Sequence, residues 1–239
     1  MAQHFKYEGA LPKRAILFGD PARASLLEGS VDGFEELFFN REFRGVRVSN
    51  KGKEALLLSC GIGGPSTAIA MEEAYMLGVR EFIRVGTCGV VDRNIGVGDI
   101  VVASAAIKED GVSKELLPSS VPALPSANLT NRLGQKLREE ELRYFEGVVR
   151  THDIFYESEE EFIRAFEKYR DVAIASEMEM ATVFTVSMKL GAASAGMLVV
   201  NTPEYIDWEK RKVEDITYLA QGNAIDDKLR KALLLAVAL

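Results

Sequence analysis

The sequence predicts an α/β protein, in which strands and helices alternate around one mostly parallel or mixed sheet. Two observations support this prediction. Short apolar runs recur along the 239 residues, and helical stretches lie between them. The runs are continuous rather than alternating, which is typical of strands buried on both faces. Strands and helices in alternation pack as layers around one sheet. No repeat, linker or charge block divides the chain, so we expect one domain over residues 1–239.

The apolar runs are the candidate strands, and the stretches between them are the candidate helices. We expect strands at residues 15–18, 55–58, 82–85, 100–103, 172–175 and 195–200. We expect helices at residues 66–77, 128–142, 158–169, 178–190 and 225–237. The third helix starts with Ser158 and Glu161 at the spacing of a capping box. Residues 108–127 hold three of the seven prolines and show no clear period, which predicts a long surface loop.

The charge balance and the apolar runs exclude several kinds of partner. Asp and Glu number 36 and Lys and Arg number 29, for a net charge of −7, so nucleic acid finds no general attraction. Any anion must therefore be bound by a few locally concentrated arginines. The longest apolar run, residues 232–239, is far shorter than the ~20 residues that span a bilayer. We expect a cytoplasmic protein, because no export signal is recognised. The two cysteines are scattered, so we expect free thiols and no metal site.

A first candidate anion site lies at residues 18–23, where an apolar run ends and a helix is expected to begin. Gly19 lets a ligand approach the backbone, and Pro21 suits the first turn of a helix. A helix N-terminus offers free N–H groups to an anion, and Arg23 lies one turn further on. An ordinary strand–helix turn with a surface arginine is the alternative interpretation.

A second candidate anion site follows the next apolar run, at residues 84–89. Arg84 lies among apolar neighbours, which is costly unless the arginine is paired or bound to an anion. Thr87 and the glycines beside it can supply a hydroxyl and backbone N–H groups in a tight turn. A plain β-turn with Arg84 directed outward is the alternative. Residues 61–66 are also rich in glycine, but they lack the last glycine of a dinucleotide motif, so a plain turn is favoured there.

Two carboxylates precede the apolar helix expected at residues 178–190. Glu177 and Glu179 lie where a negative charge gains from the helix dipole, so a capping role is one interpretation. Residues two apart do not share a helix face. One carboxylate can therefore stay structural while the other accepts hydrogen bonds from a sugar diol, and we favour Glu179 for that second role.

Several stretches, in this order along the chain, resemble the nucleoside phosphorylase family, which includes uridine phosphorylase and the hexameric purine nucleoside phosphorylases. The stretches are residues 19–23, 41–43, 60–70, 84–89, 97–102 and 177–179. The resemblance implies a three-layer α/β/α sandwich around a twisted mixed β-sheet, assembled as dimers that commonly form hexamers. It also implies a nucleoside substrate with inorganic phosphate as co-substrate and no other cofactor.

The resemblance further implies a role for particular residues, with Arg84 and Glu179 as the catalytic pair. The phosphate set is Gly19, Arg23, Arg84, Thr87 and a neighbouring subunit's Arg41. The ribose set is Met178, Glu179 and a His4 that the partner subunit lends. The candidate base set is Phe155, Glu159, Glu161, Glu177 and Asn201.

The residues that distinguish the bases differ from both branches of this family. Purine enzymes carry an aspartate after the strand expected at residues 195–200, where this chain has Asn201; Glu204 or Asp207 on the same loop is an alternative acid. Uridine enzymes carry a Gln and an Arg where this chain has Glu159 and Glu161, two residues that also suit a helix dipole. The amino-acid sequence of the other motifs resembles uridine phosphorylase more closely, which favours uridine as the substrate. The alternatives are a purine nucleoside or methylthioadenosine, or a nucleoside-binding relative without catalysis.

Overall fold

A nine-stranded mixed sheet forms the centre of the computed structural model, which describes residues 2–214 and 222–239. Its strands are β1 (Arg14–Phe18), β2 (Gly33–Asn40), β3 (Phe43–Asn50), β4 (Lys53–Ser59), β5 (Glu81–Val90), β6 (Ile100–Lys108), β7 (Tyr144–Thr151), β8 (Ala173–Glu177) and β9 (Ala193–Pro203). Their order is β2-β3-β4-β1-β5-β8-β7-β6-β9, and β9 pairs with β5 as well. The last five strands in that order therefore close into a ring. Two short strands, β10 (Ile206–Asp207) and β11 (Lys212–Val213), pair separately.

Helices cover both faces of the sheet and make the three layers that the sequence predicted. They are a 3₁₀ helix (Pro21–Leu27), α1 (Gly64–Met76), α2 (Gly111–Leu116), α3 (Ala127–Glu139), α4 (Glu159–Glu167), α5 (Met180–Leu190) and α6 (Gly222–Ala238). Helices α1 and α5 pack in one apolar cluster with one face of the sheet. The 3₁₀ helix, α3 and α6 pack in a second cluster on the opposite face. Within the described ranges, no helix is both long and apolar enough to cross a bilayer.

The predicted helices and strands are present, but the structure corrects three expectations. Residues 84–89 are not a tight turn, because β5 continues through them to Val90. Residues 108–127 are not one long loop, because α2 and the start of α3 lie within them and Ala106 pairs with Ala123. Strands β2, β3 and β7 were not predicted, since their burial alternates or mixes and their apolar runs are interrupted by charges.

Four adjacent strands, β4, β1, β5 and β9, run in the same direction, and this common direction determines where a site can form. Strand β1 is parallel to β4 and β5, and β5 is parallel to β9. The carboxyl ends of these strands therefore meet at one edge of the sheet, where α/β folds commonly bind ligands. Strand β8 runs antiparallel to β5, and its last residues pair with the end of β5, where Gly89 is opposite Ser176.

Candidate active site

The turn after β1 is held against the turn after β4. The amide of Gly61 donates to the carbonyl of Gly19 over 3.1 Å, and a Cβ added at Gly19 would lie 3.0 Å from the Gly61 carbonyl oxygen. Asp20 caps the 3₁₀ helix, since its Oδ1 accepts from the amide of Ala22 at 2.8 Å. Arg23 follows in the first turn of that helix. The structure thus places Gly19 and Arg23 at the carboxyl edge of the sheet.

Arg84 lies inside β5 and is only 4% exposed, so its charge needs partners. Its Nε donates to Oε2 of Glu177 over 3.2 Å, and its Nη2 forms a short ion pair with Oε2 of Glu179. These carboxylates outweigh burial and raise the pKa of Arg84. The third nitrogen, Nη1, is buried and has no hydrogen-bond partner within the described part of the chain. A buried donor of this kind is costly unless a ligand accepts from it.

Glu177 is fully engaged by the protein. Its Oε1 accepts from the Thr151 hydroxyl at 2.5 Å, and its Oε2 accepts from the amide of Glu179 at 2.8 Å. The amide of Met180 donates to both oxygens. Burial, together with the nearby charge of Glu179, raises the pKa of Glu177. The side chain therefore fixes the start of α5 and orients Arg84, and its oxygens are occupied where the sequence suggested contact with a base.

Glu179 is the N-cap residue of α5 and is 5% exposed. Its Oε1 accepts from the amide of Gly63 over 2.6 Å, which ties it to the start of α1. Gly63 has φ +86°, a conformation that suits glycine. Met178, between the two glutamates, is partly buried. Glu179 thus has one backbone donor and Arg84, which leaves lone pairs for further hydrogen bonds.

Arg23 lies near Arg84, and Thr87 follows Arg84 in β5. Burial and the nearby charge of Arg84 lower the pKa of Arg23, so the two guanidinium groups are close enough to repel each other. No hydrogen bond or ion pair within residues 2–214 and 222–239 joins Arg23 to a carboxylate. Thr87 is partly buried in β5, three residues beyond Arg84. Two neighbouring cations, one with an unpartnered nitrogen, form a suitable place for a small anion.

His4 contacts Asn40, the neighbour of Arg41. Both His4 and Arg41 are distant in sequence from Glu177 and Glu179. Glu73 accepts from the backbone amide of His4 at 2.9 Å and contacts its Nδ1 at 2.7 Å. Asn40, beside Arg41, donates to the carbonyl of His4 at 2.7 Å. Arg41 is exposed at the β2–β3 turn with φ +56°. The two residues that were expected to reach a partner subunit therefore form one local unit.

The candidate base residues lie in different environments, and several of them are exposed. Phe155 is 73% exposed in the segment before α4. Glu161 completes a capping box with Ser158 at the start of α4, and Glu159 accepts from the amide of Val213 at 2.8 Å. Asn201 is exposed near the end of β9. Both glutamates thus have partners within the protein, and the contact of Glu161 agrees with the helix-terminus alternative.

The sequence missed a buried polar cluster at the end of β7. Arg150 is 3% exposed, and its Nε donates to Glu109 at 2.6 Å while its Nη atoms contact both oxygens of Glu157 at 3.2–3.3 Å. His152 is also buried, and its Nδ1 has no hydrogen-bond partner in the described chain. Burial and the charge of Arg150 lower the pKa of His152. The missed signal was Arg150 and His152, in the residues directly after the apolar Val148 and Val149.

Glu204 brings a further buried carboxyl to this end of the sheet. Its Oε2 is buried without a hydrogen-bond partner in the described residues, and a Cβ added at Gly89 would lie 2.1 Å from that oxygen. Burial and the charge of Glu157 raise the pKa of Glu204 to about 7. At Gly86, an added Cβ would lie 2.9 Å from Nη2 of Arg84. Glycine at these two positions leaves room for the charged groups.

The two thiols do not provide a nucleophile. Burial raises the pKa of Cys60 to about 11, and burial with nearby carboxylates also raises the pKa of Cys88. Both side chains therefore stay protonated near neutral pH. The arrangement instead offers cations for an anion, a carboxylate for hydroxyl donors and a buried acid close by.

Comparisons with known proteins agree with this arrangement. The family described as the phosphorylase superfamily matches residues 13–233. The chain is 34% identical over 194 residues to guanosine phosphorylase of Halorubrum lacusprofundi, covering 81% of this chain and 80% of that one. It is 33% identical over 207 residues to uridine phosphorylase of Haemophilus influenzae, covering 80% and 82%. The crystal structure of uridine phosphorylase from Vibrio fischeri ES114 superposes with a TM-score of 0.86 at 29% identity, over 99% of this chain and 95% of that chain.

Proposed function

Since this chain belongs to the phosphorylase superfamily and is a nucleoside phosphorylase, we propose that inorganic phosphate cleaves the N-glycosidic bond of its ribonucleoside substrate. The products are the free base and ribose 1-phosphate. The observation that supports this reaction most directly is Arg84, a buried arginine that pairs with Glu179 and leaves Nη1 unpartnered. The guanidinium group of Arg84 thus lies between the proposed phosphate site and Glu179, the carboxylate proposed to accept hydrogen bonds from the ribose hydroxyls.

The phosphate nucleophile is held by positive charge at the carboxyl edge of the sheet. Arg84 offers Nη1, and Arg23 adds a second cation beside it. Gly19 and Thr87 contribute a backbone approach and a hydroxyl, and Arg41 of a neighbouring subunit completes the set. Fixing phosphate in line with the anomeric carbon accounts for most of what these groups do, since positioning lowers the barrier of a two-substrate reaction.

The ribose is held by Glu179, whose carboxylate accepts from the sugar hydroxyls. As the glycosidic bond breaks, the sugar gains positive charge, and a fixed carboxylate beside it stabilises that charge. Gly63 and Arg84 orient the carboxylate before substrate arrives. Met178 packs against the sugar, and the partner subunit's copy of His4 approaches its 5′ end.

The base is the least constrained part of the substrate. Uridine is the substrate that the sequence motifs favour, and Asn201 at the end of β9 agrees with it. A purine nucleoside is the second candidate, and one observation favours it. The departing base must leave as an anion or receive a proton, and Glu204 is a partly buried acid whose pKa burial raises to about 7. Guanosine is therefore tested beside uridine.

A substrate panel with and without phosphate tests the reaction. Uridine, guanosine, inosine and methylthioadenosine are incubated with the protein, and the free base and the sugar 1-phosphate are measured; the sugar product is 5-methylthioribose 1-phosphate for methylthioadenosine and ribose 1-phosphate for the others. We expect base release that requires phosphate and yields one sugar 1-phosphate per base. Equal release without phosphate would assign a hydrolase, and binding without turnover of any nucleoside would assign a non-catalytic relative.

The assembly belongs to the same proposal. We expect a cytoplasmic homo-oligomer built from dimers, commonly a hexamer, as the family resemblance implies; Arg41 is exposed and His4 is partly exposed. Sedimentation of the active protein tests it. A fully active monomer would contradict the roles given to these two residues.

A further inference from the structure

We propose that Arg150 is a positioning residue that fixes the segment of residues 152–158 at the base-binding end of the site. The proposal rests on the proposed function, in which Phe155 of this segment lies against the base. It assigns a role to a buried cation that the reaction itself does not use. The role is to hold the segment in place through Glu157.

Arg150 joins structural elements that are distant in sequence. It is buried at the end of β7 and donates to Glu109, just beyond β6, at 2.6 Å. It contacts both oxygens of Glu157, in the segment, at 3.2–3.3 Å. Its guanidinium also lies 5.5 Å from the centre of the Phe166 ring in α4. A planar guanidinium with several donors suits such a junction better than an ammonium group does.

The segment is fixed at both ends and exposed in its middle. At its start, the amide of His152 donates to the carbonyl of Glu177 at 3.1 Å, and Asp153 accepts from the amide of Gly111 at 2.8 Å. At its end, Glu157 is held by Arg150. Between these anchors, Phe155 and Tyr156 are 73% and 91% exposed. Aromatic rings on an anchored segment form a suitable surface for a planar base.

The segment is also connected directly to the catalytic residues. Thr151, which precedes it, donates to Glu177 at 2.5 Å, and Glu177 holds Arg84. The charges of Glu157 and Arg150 both reach Glu204, which lies over Gly89. The position of Glu157 therefore affects the base end of the site, while the anion end depends on Arg84 and Arg23.

The test compares Glu157→Ala with Glu157→Gln, because Arg150 keeps Glu109 as a partner in both and the fold is retained. Arg150→Met is the stronger variant, and Arg164→Met is the matched control, since Arg164 forms an exposed pair with Glu160 on α4. KM for uridine and guanosine, KM for phosphate and kcat are measured. Amide hydrogen exchange of residues 152–158 is followed in parallel.

We expect Glu157→Ala and Arg150→Met to raise the nucleoside KM by about tenfold or more, with the phosphate KM changed by less than about twofold. Exchange in the segment should become faster in both. Glu157→Gln should lie between Glu157→Ala and the wild type, because its amide oxygen still accepts from Arg150. Arg164→Met should match the wild type.

Two results would overturn the proposal. One is unchanged exchange of the segment in Glu157→Ala. The other is an equal rise of the nucleoside and phosphate KM values, which is what a general loosening of the fold would give. Hydrogen exchange reports on the anchor even where no nucleoside is turned over. A failure of the proposed function, seen as no phosphate-dependent base release by the wild type, is therefore distinguishable from a failure of the anchor.

Discussion

Arg84 donates Nη2 to Glu179 and keeps Nη1 buried without a partner in the described chain. The same guanidinium therefore contacts the carboxylate proposed for the ribose and faces the position proposed for phosphate. A ligand that accepts from Nη1 would draw Arg84 towards itself and weaken the ion pair with Glu179. The charge of Glu179 would then be less compensated, so its carboxylate would accept more strongly from hydroxyl donors. Phosphate and nucleoside are thus expected to assist each other's binding.

Arg84→Lys should raise the phosphate KM by on the order of 100-fold, because an ammonium group cannot serve Glu177, Glu179 and phosphate together. Lysine keeps one positive charge beside the two buried carboxylates, so the variant should fold. Steady-state kinetics with varied phosphate give the measurement. Arg93→Ala, which removes an exposed pair with Glu214, is the control. A phosphate KM equal to that of the wild type would contradict the assignment.

Glu179→Gln should lose recognition of the ribose hydroxyls. The amide keeps the size of the side chain but accepts more weakly, so the preference for a ribonucleoside over its 2′-deoxy analogue should fall by about tenfold. The ratio of kcat/KM for the two substrates, measured in wild type and variant, reports it. If that ratio stays the same while both rates fall, Glu179 acts in another way.

Glu204 should make folding stability depend on pH near neutrality. Burial raises its pKa from the ordinary 4.5 to about 7, so the folded state holds the proton more tightly than the unfolded state does. Between these values the unfolded chain binds fewer protons, and stability falls as pH rises. Glu204→Gln removes this loss, so from pH 5 to pH 8 the variant should gain up to about 3 kcal/mol relative to wild type.

Denaturant unfolding of both proteins at the two pH values measures that gain. The same ionisation should lower kcat/KM for guanosine as pH rises through about 7. Glu204→Gln should remove that pH dependence. A stability difference that is the same at both pH values would show that Glu204 does not titrate in this range.

Arg41→Ala and Glu179→Gln should each be weakly active alone and should recover activity when mixed. If Arg41 acts in the neighbouring site, a mixed dimer contains one site with neither substitution. Activity is measured after subunit exchange of the two purified variants. Arg84→Lys mixed with Glu179→Gln is the control, since both residues serve the same subunit's site and no intact site forms. No recovery in the first mixture would place Arg41 outside the shared site.

The sequence predicted the strands that are buried on both faces. It did not predict strands in which one face is buried and the other is exposed. Residues of β1 and of the first half of β5 form largely apolar runs, so they were found. Strand β7 contains Glu146 and Arg150, and a local pattern cannot show that a distant Glu109 pairs with Arg150. The closing of the ring by β9 against β5 was likewise beyond any local pattern.

In the candidate site, the sequence indicated which residue types need partners but not which partners they have. A cation among apolar neighbours pointed to Arg84, and it does have buried partners. The sequence offered a capping role for Glu177, and the amides of Glu179 and Met180 do donate to it. It did not show that Thr151 and Arg84 donate to the same carboxylate, because both are distant in the chain. It also did not show that Gly63 donates to Glu179, since 116 residues separate them in the chain.

Gly86 and Gly89 have no functional group, yet the geometry makes them sensitive positions. A methyl group at either one would meet Arg84 or Glu204 within 3 Å. In an alanine scan, where most substitutions remove atoms, these two would add atoms and displace a charged neighbour. Both would register as active-site positions through steric exclusion alone. The shape of the site is therefore encoded by the absence of side chains as well as by their chemistry.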